Sequence, residues 1–375
     1  MKKPIVLTSS VVLFLSLALF AQPPARIISP EVQPDGHVTF RFAAPNAARV
    51  EVSIEGQSAS APMQRDAHGI WSTTVGPLPP DIYGYSLVAD GVSLIDPSNP
   101  LMKPNLLFTQ SAVHIPGPSL PWEVGAVPHG EIHQHFYHSK IAGDDRDFYV
   151  YTPPNYDPRA KQDYPVLYLL HGFSDATNGW SAVGRANLIL DNLIAQGTAK
   201  PMIVVMPLSY GDMEVIQRGW GEDKALAWRN LSRFTDVLLA EVMPRVEESY
   251  KIKNDPESHA IAGLSMGGAE SLLTGLNHLD KFAWIGAFSS GGLEYQEFSA
   301  EFPGLDTNVN KKLKLLWIAC GTEDGLLKPN RQFKSWLKDR GVEYTDVETP
   351  GMHTWMVWRR NLAALTPLLF QPSPH

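Results

Sequence analysis

The chain has 375 residues, of which 44% are hydrophobic and 19% are charged, and its formal net charge is −8. This composition is typical of a globular protein, and the length allows one large domain and a smaller one. The acidic balance, without a run of basic residues, argues against a nucleic-acid partner and against binding to an anionic membrane surface.

The N-terminal residues have the pattern of an export signal. Lys2 and Lys3 precede an apolar stretch, residues 5–20, which Thr and Ser residues interrupt. Because a membrane span needs about 20 apolar residues, this stretch is too short to be one. A basic start followed by a short apolar run predicts a signal peptide over residues 1–21, with cleavage after Ala21. We therefore expect a secreted or periplasmic protein that has no membrane contact once the signal is removed.

Residues 26–115 alternate between apolar and polar side chains, without helical periodicity. Asp35-Gly36 and Asp90-Gly91 have the composition of tight hairpin turns. The region is predicted to be a small immunoglobulin-like β-sandwich. The predicted strands are HVTFRF (37–42), RVEVSI (49–54), IWSTTV (70–75) and IYGYSLVADG (82–91).

The segments FAAPNAARVEV, HGIWSTTVGPLPPDIYGYSLVADG and DPSNP resemble the early-set, isoamylase-N-terminal type of module. The resemblance implies a module that accompanies glycan-active enzymes and that in some of them binds polysaccharide. Trp71, Tyr83 and Tyr85 are candidates for stacking on sugar rings, or alternatively for packing inside the sandwich or against the next domain. The proline-rich residues 116–128 are predicted to form a stiff linker.

Residues 129–372 alternate between strand-like and helical segments. Near-continuous apolar strands between amphipathic helices predict a mostly parallel sheet that helices cover on both faces. Pro244 is expected to kink the helix that contains it. The predicted strands are RDFYVYT, YPVLYLL, MIVVMP, HAIAG, AWIGAF, LKLLWIA and EYTDVE, and the predicted helices include 185–195, 233–250, 330–340 and 354–369.

The segment IAGLSMGGAESLL places Ser265 among three glycines, between a short apolar strand and a helix. A strand-turn-helix of the form G-x-S-x-G is the nucleophile elbow of α/β hydrolases, in which the serine stands above the sheet. The pattern alone is a hypothesis, because glycine-rich turns are common. It requires a base, an acid and an oxyanion hole.

Two later strand ends supply the acid and the base. Glu323 and Asp324 follow the strand LLWIA, and His353 follows the last predicted strand. The order Ser265, acid, His353 is that of α/β hydrolases, in which the histidine activates the serine and the carboxylate orients the histidine. We expect Asp324 to be the acid, since its short side chain is easily fixed against His353 and neighbouring Glu323 then faces away.

An oxyanion hole needs two backbone N–H groups directed at the developing charge. Met266, immediately after the serine, is the first candidate, and Phe173 in the loop LLHGFSDATNGW is the second. His171 in the same loop is an alternative base, but it precedes the elbow in the chain and has no ordered acid partner.

Five further residues are weaker candidates for chemistry. His129, His133, His135 and His138 allow a metal site to be considered, but no carboxylate cluster accompanies them and serine chemistry needs no metal. We expect neither a metal nor another cofactor. Cys320, the only cysteine, follows an apolar run and is expected to be a buried thiol.

Several motifs together resemble the esterase D-like carbohydrate esterases, and most of all the bacterial feruloyl esterases. The motifs are PVLYLLHGFSDATNGW, GRANLILDNLIAQGTAKPMIVVMP, IAGLSMGGAESLLTGLNHLDKFAWIGAFSSG, KLKLLWIACGTEDGLL and GMHTWMVWR, over about residues 137–370. The resemblance implies an α/β-hydrolase fold and assigns the triad to Ser265, Asp324 and His353. Residues 351–355 read G-M-H-T-W where relatives commonly have G-G-H-D-W, which affects the expected pocket rim.

The resemblance implies hydroxycinnamoyl esters on plant polysaccharide, or small phenolic esters, as substrates. Trp180, Trp220 and Trp355 are expected to help form an aromatic slot for the acyl group. Acetyl xylan esterase and enterochelin-type esterase are alternative activities, and a glycan-binding protein with an inactive esterase domain is the alternative without catalysis. The sequence leaves the oligomeric state open.

Overall fold

The computed structural model describes residues 26–221, 223–294 and 296–372. The predicted signal peptide lies outside these residues. The first part of the described chain consists of antiparallel sheets, and the second part is built around a mostly parallel sheet. Within the described residues, no helix combines the length and the apolarity needed to cross a bilayer.

The N-terminal module consists of two antiparallel sheets packed around a common core, as predicted. One sheet has the strand order β1-β2-β6-β5, and the other has the order β4-β3-β7-β10-β9 with β8 paired to β7. The hairpin between β7 and β8 turns at Asp90 and Gly91, whose φ angles of 48° and 86° are those of the expected tight turn. The strands are β1 (Glu31–Val32), β2 (Val38–Ala43), β3 (Val50–Ile54), β4 (Ala61–Pro62), β5 (Gln64–Arg65), β6 (Ile70–Val75), β7 (Asp81–Ala89), β8 (Val92–Leu94), β9 (Met102–Lys103) and β10 (Gln110–Ile115).

The aromatic residues considered for sugar stacking belong to the core of this module. Trp71 and Tyr83 expose 7% and 5% of their surface, and Tyr85 exposes none. Their polar atoms bind inside the module, for example the Tyr85 hydroxyl, which donates to Asp96 at 2.8 Å. A ring must present an open face to stack on a sugar, so the prediction of a stacking role for these three residues is wrong, and the alternative of core packing is correct.

The second part contains one long sheet with the strand order β11-β12-β14-β13-β15-β16-β17-β18. The strands from β14 to β18 in this order pair in parallel, whereas β11 and β12 are antiparallel to their neighbours. The strands are β11 (Glu131–Ser139), β12 (Asp144–Thr152), β13 (Val166–Leu170), β14 (Ile203–Pro207), β15 (His259–Leu264), β16 (Trp284–Phe288), β17 (Leu315–Gly321) and β18 (Thr345–Thr349).

The helices cover both faces of this sheet, and alternate residues of the central strands point into separate cores. Tyr168 of β13 belongs to the core on one face, and Leu169 to the core on the other face. Burial on both faces explains why these strands are continuous apolar runs in the sequence. The helices are α1 (Gly179–Ala182), α2 (Ala186–Ala195), α3 (Glu214–Arg218), α4 (Lys224–Val237), α5 (Met243–Ser249), α6 (Met266–Asn277), α7 (Phe298–Glu301), α8 (Leu327–Asp339) and α9 (Trp355–Leu365).

The predicted helix over 233–250 begins earlier than expected and is interrupted. α4 starts at Lys224, where the Asp223 side chain caps the helix by accepting the Leu226 N–H. A π-helical stretch, Leu238–Val242, separates α4 from α5 just before Pro244. Proline lacks the N–H that would continue the regular bonding, so the expected kink takes the form of this wider turn.

The module and the α/β domain share an extensive buried interface. Arg359 of α9 and Asp81 of β7 form an ion pair of 2.7 Å, and their side chains are 0% and 1% exposed. Ile82 of the module belongs to a core of the α/β domain, and Met356 of α9 belongs to the core of the module. The predicted linker also packs against the α/β domain, through buried Trp122.

Candidate active site

Ser265 occupies the turn between β15 and α6, with a φ of 54° and a ψ of −115°. This conformation is strained for a residue with a Cβ, and such strain is concentrated at functional sites. The positive φ belongs to the serine itself and to none of the three neighbouring glycines. A Cβ on Gly267 would lie 2.5 Å from the His171 carbonyl oxygen, so glycine is needed there for the close approach of the next loop.

The three residues predicted as a triad meet at the carboxyl edge of the sheet. His353 Nε2 lies 3.0 Å from Ser265 Oγ, and His353 Nδ1 lies 2.9 Å from Asp324 Oδ2. Ser265 and Asp324 follow β15 and β17, and His353 follows β18. The parallel strands therefore bring together side chains that are separated by 88 positions between the serine and the histidine.

Asp324 is placed to remain ionised beside the histidine. Its side chain has no solvent exposure, which by itself would raise its pKa. The hydrogen bond and charge interaction with His353, the N–H of Leu326 and the Ser289 hydroxyl outweigh burial, so that the pKa of Asp324 lies below its ordinary value. A buried carboxylate in this position fixes the histidine tautomer, with the proton on Nδ1 and Nε2 free to accept the serine proton.

Glu323, which was not expected to be the triad acid, is exposed and has a structural role. Its carboxylate accepts the N–H of Gly351 in the loop that carries His353, and it also accepts the Thr322 hydroxyl at 2.9 Å. These bonds lower the pKa of Glu323. Glu323 therefore ties the loop of the acid to the loop of the base.

The two predicted oxyanion donors, Met266 and Phe173, belong to segments that meet at the serine. Met266 is the first residue of α6, where a backbone N–H has no partner within the helix. Phe173 follows Gly172, on which a Cβ would lie 3.2 Å from Ser265 Cβ. No acceptor in the described part of the chain binds the Phe173 N–H. Both donors are thus available next to the nucleophile, which is the arrangement that a developing oxyanion requires.

His171 is a structural residue of the loop that carries Phe173. Its Nε2 accepts the Ser209 N–H at 2.9 Å, so the proton lies on Nδ1, which donates to the Gly172 carbonyl at 2.9 Å. Burial lowers the pKa of His171 to about 4 and keeps the ring neutral. The ring therefore fixes the oxyanion loop (residues 171–175, which include Phe173) to the loop after β14.

Two of the three tryptophans predicted to line the substrate slot are buried behind the triad. Trp180 has no exposure and Trp355 is 2% exposed, and their rings pack edge to face at 5.1 Å. The Trp180 indole N–H donates to the Leu170 carbonyl at 2.8 Å, which explains its place in the core. Trp358, which no sequence pattern singled out as a site residue, packs edge to face with the His353 ring at 4.8 Å and so supports the base.

Trp220, the third, lines a cavity of about 480 Å³ near the nucleophile. Its ring stacks on the Phe173 ring, with centroids 6.1 Å apart. It also packs against the backbone of Gly292, where a Cβ would lie 2.4 Å from the Trp220 ring. Gly291, the preceding residue, donates its N–H to the Ser265 carbonyl at 3.1 Å. One lining residue of the cavity, Gly292, therefore directly follows the residue whose N–H binds the Ser265 carbonyl.

The lining of this cavity also includes a second tryptophan and carboxyl groups. Trp228 at the rim is 43% exposed, while Glu301 is 7% exposed. Burial, together with nearby Glu297 and Glu294, raises the pKa of Glu301 to about 7. Its Oε2 atom is buried without a hydrogen-bond partner in the part of the chain that is described. A buried carboxyl oxygen without a partner favours a ligand that donates a hydrogen bond.

The remaining candidates have structural partners. His129 binds Asp191 at 2.8 Å, His135 binds the Tyr250 hydroxyl at 2.6 Å, and His138 binds Asp145 at 2.8 Å. The described residues contain no group of three His, Cys, Asp or Glu side chains that is arranged to hold a metal ion. Cys320 is buried, as predicted, and burial raises the pKa of its thiol to about 12.

Comparison with known sequences agrees with this geometry. The endo-1,4-beta-xylanase/feruloyl esterase of Xylanibacter ruminicola is 31% identical over 350 residues, which cover 91% of this chain and 46% of that protein. This chain thus spans just under half the length of that relative. An acetyl esterase of Caldicellulosiruptor saccharolyticus is 24% identical over 234 residues, covering 54% of this chain and 82% of that protein.

Solved structures share the fold. A CE1 ferulic acid esterase from Anaeromyces mucronatus, in complex with ferulic acid, has a TM-score of 0.56 and 24% identity, and covers 66% of this chain and 93% of its own. The enterochelin esterase of Shigella flexneri has a TM-score of 0.68 and 18% identity, and covers 92% of this chain and 95% of its own. The family model described as "Putative esterase" matches residues 139–369. The α/β-hydrolase part of the chain, with its triad, therefore makes this protein a member of that esterase family.

Proposed function

We propose that the protein is a serine carboxylic-ester hydrolase that releases hydroxycinnamic acids from plant cell-wall polysaccharide. The observation that carries the reaction type is the pair of bonds that His353 makes, to Ser265 on one side and to Asp324 on the other. Export to the outside of the cell is part of the proposal, and the basic and apolar pattern of residues 1–21 supports it.

The reaction proceeds through an acyl-enzyme. Ser265 Oγ attacks the ester carbonyl carbon while His353 Nε2 takes the hydroxyl proton, and the N–H groups of Phe173 and Met266 stabilise the negative carbonyl oxygen. The C–O bond to the alcohol breaks, and the leaving alcohol receives the proton from His353. Water then attacks the acyl-enzyme with His353 again as the base, which releases the carboxylic acid and restores the serine.

The cavity that Trp220 lines suits a phenolic acyl group. A flat ring packs well against the Trp220 ring. The hydroxyl of a phenol can donate a hydrogen bond to Glu301 Oε2, which has no partner among the described residues. The feruloyl esterase activity named for the Xylanibacter ruminicola relative and the ferulic acid bound in the Anaeromyces mucronatus structure support this choice of substrate.

An enterochelin-type activity is the second candidate. The Shigella flexneri enzyme matches 92% of this chain, whereas the Anaeromyces mucronatus enzyme matches 66%. Charge argues against this candidate, because three carboxyl groups and one cation, Lys224, line the cavity, and a ferric catecholate carries net negative charge. Acetyl xylan hydrolysis is the third candidate activity, and the similarity to the Caldicellulosiruptor saccharolyticus acetyl esterase supports it.

A panel of esters tests the proposal. We would measure kcat/KM on methyl ferulate, acetylated xylan, a short aryl acetate and a catecholate siderophore ester. Preference for methyl ferulate over the acetyl esters by more than about tenfold, or roughly 1.4 kcal/mol, is expected if the cavity binds the acyl group. Efficient cleavage of acetylated xylan with no action on methyl ferulate would contradict the substrate and leave the mechanism intact.

A further inference from the structure

The N-terminal module reaches the loop that carries the oxyanion donor Phe173. Asn105 lies in the loop between β9 and β10, and its Nδ2 atom is 3.0 Å from Ser174 Oγ and 3.3 Å from Asp175 Oδ1. The next residue, Leu106, donates its N–H to the Ser174 carbonyl at 2.8 Å. These bonds act on the two residues that directly follow Phe173.

The oxyanion loop has a conformation that needs external support. Ser174 has a φ of 68°, in the left-handed region that residues with a Cβ rarely adopt. Asp175 receives the Gly172 N–H at 3.3 Å, so the loop closes on itself around Phe173. Asn105 binds both Ser174 and Asp175 from outside, and thereby holds the loop in this shape.

The Asn105 side chain is itself held in one orientation. Its Oδ1 atom accepts the N–H groups of Leu107 and Phe108 at 3.0 Å and 2.9 Å. The acceptor end of the amide is therefore committed to its own turn, and the donor end faces the esterase domain. Because the Asn105 side chain is already fixed, it can hold the oxyanion loop without losing further conformational freedom.

A second contact of the same module holds the segment after the catalytic base. Glu55 accepts the N–H of Trp355, the first residue of α9, at 3.1 Å, and it also binds Lys103 at 3.0 Å. Trp355 lies two positions after His353. One face of the module, with Glu55, Lys103 and Asn105, thus contacts both the oxyanion loop and the helix that begins beside the base.

We propose that Asn105 is a positioning residue of the catalytic site, and that the N-terminal module serves catalysis by holding the oxyanion loop in place. The proposal rests on the assignment of the Phe173 N–H as an oxyanion donor, and so on ester hydrolysis. Preorganised donors must stay fixed while charge develops, and a displacement of about 1 Å is enough to cost about a hundredfold in rate.

Two substitutions of Asn105 test this role. Asn105→Ala removes the whole amide, while Asn105→Asp keeps the oxygen that accepts the turn N–H groups and replaces the donor by a carboxylate oxygen that faces Ser174 and Asp175. We expect each to lower kcat by about tenfold to a hundredfold with little change in KM. Because the oxyanion forms with every ester, the loss should be equal on methyl ferulate and on a short aryl acetate.

Phe108→Ser is the matched control, because it alters the same turn at a side chain that is 68% exposed. It should leave kcat unchanged on the aryl acetate. Hydrogen exchange of residues 172–175 should become faster in both Asn105 variants and not in Phe108→Ser.

Unchanged kcat and exchange in Asn105→Ala would overturn the proposal, as would an equal loss of kcat in Phe108→Ser. A wild-type enzyme that cleaves the aryl acetate but ignores methyl ferulate would contradict the proposed substrate alone, since the aryl acetate and exchange measurements still decide the role of Asn105.

Discussion

Arg359 and Asp81 join the two parts of the chain through an ion pair that is closed to solvent on both sides. The guanidinium binds Asp81 Oδ1 through Nη2 at 2.7 Å and Nε at 3.1 Å, and it also donates to the carbonyls of Val183 and Ile82. All three nitrogens of the guanidinium donate hydrogen bonds, which compensate its desolvation.

Arg359→Met should therefore destabilise the protein strongly. It would leave the Asp81 carboxylate buried with only the partly exposed Arg360 as a cation, and we expect a loss of about 3–5 kcal/mol in the free energy of unfolding. Urea denaturation measures this change. Arg331→Met, which breaks the exposed pair with Glu348, is the control and should cost less than about 1 kcal/mol. Similar losses in the two variants would contradict the importance of the buried pair.

Removal of the triad carboxylate should impair the reaction without unfolding the protein. Asp324→Asn no longer favours the histidine tautomer that accepts the serine proton, and we expect kcat to fall by about 10⁴-fold. Ser265→Ala should lower kcat at least as much. Hydrolysis of a short aryl acetate measures the rates, and circular dichroism checks the fold. Glu323→Gln, which keeps an acceptor for the Gly351 N–H, is the control, and a loss as large as that of Asp324→Asn would reverse the assignment.

The phenol hydroxyl of the acyl group should be recognised by Glu301. We expect the wild-type enzyme to prefer methyl 4-hydroxycinnamate over methyl cinnamate, which lacks the hydroxyl. Glu301→Gln keeps the shape but replaces one carboxyl oxygen by an amide nitrogen, and it should reduce that preference by about tenfold, as for the loss of one buried hydrogen bond. The ratio of the kcat/KM values is the measurement. An unchanged ratio would place the hydroxyl elsewhere.

Trp220 should affect binding of aromatic acyl groups more than the chemistry of the ester. Trp220→Ala removes the ring that stacks on Phe173 and lines the cavity. We expect the KM for methyl ferulate to rise by about tenfold, in line with the loss of an aromatic contact of about 1.4 kcal/mol. Equal effects on methyl ferulate and on the aryl acetate would exclude a specific role in the acyl pocket.

The pH dependence of stability should reveal Glu270. This residue of α6 is completely buried, both carboxyl oxygens lack partners among the described residues, and burial raises its pKa well above the ordinary value. The folded protein keeps a proton that the unfolded chain releases above pH 4.5. Stability from this group is therefore present below that pH and declines as the pH rises toward the folded-state pKa.

Glu270→Gln should remove this decline. Its urea midpoint should resemble that of the wild type under acidic conditions and exceed it in mildly alkaline solution. Parallel stability curves for the two proteins across this range would show that Glu270 is not protonated in the folded state.

The positions of the candidate triad residues could be predicted because a parallel sheet gives the sequence a recognisable pattern. Strands buried on both faces are continuous apolar runs, so their ends, and the titratable residues that follow them, are visible without a structure. Asp324 and His353 were found in this way. The position of the turn was also predicted correctly. The strained residue in it is Ser265, and the neighbouring glycines permit close approach of other backbone segments.

Other features depend on three-dimensional contacts that the sequence does not display. Trp180 and Trp220 have the same side chain, but one meets the Leu170 carbonyl in the core and the other lines a cavity. The start of α4 at Lys224 was missed because its first turns are polar and resemble a loop. Asn105 had no local signal, since its partners are 69 and 70 positions away in the other domain.

The interlocked cores have a consequence for how the chain can be divided. Met356 inserts into the sandwich and Ile82 into the α/β domain, so neither part has a complete apolar interior alone. If the two parts were produced separately, both contacts, together with Asp81 and Arg359, would be exposed to water. Heating should therefore melt the two folds in one cooperative transition, and the esterase domain produced by itself should be prone to aggregate.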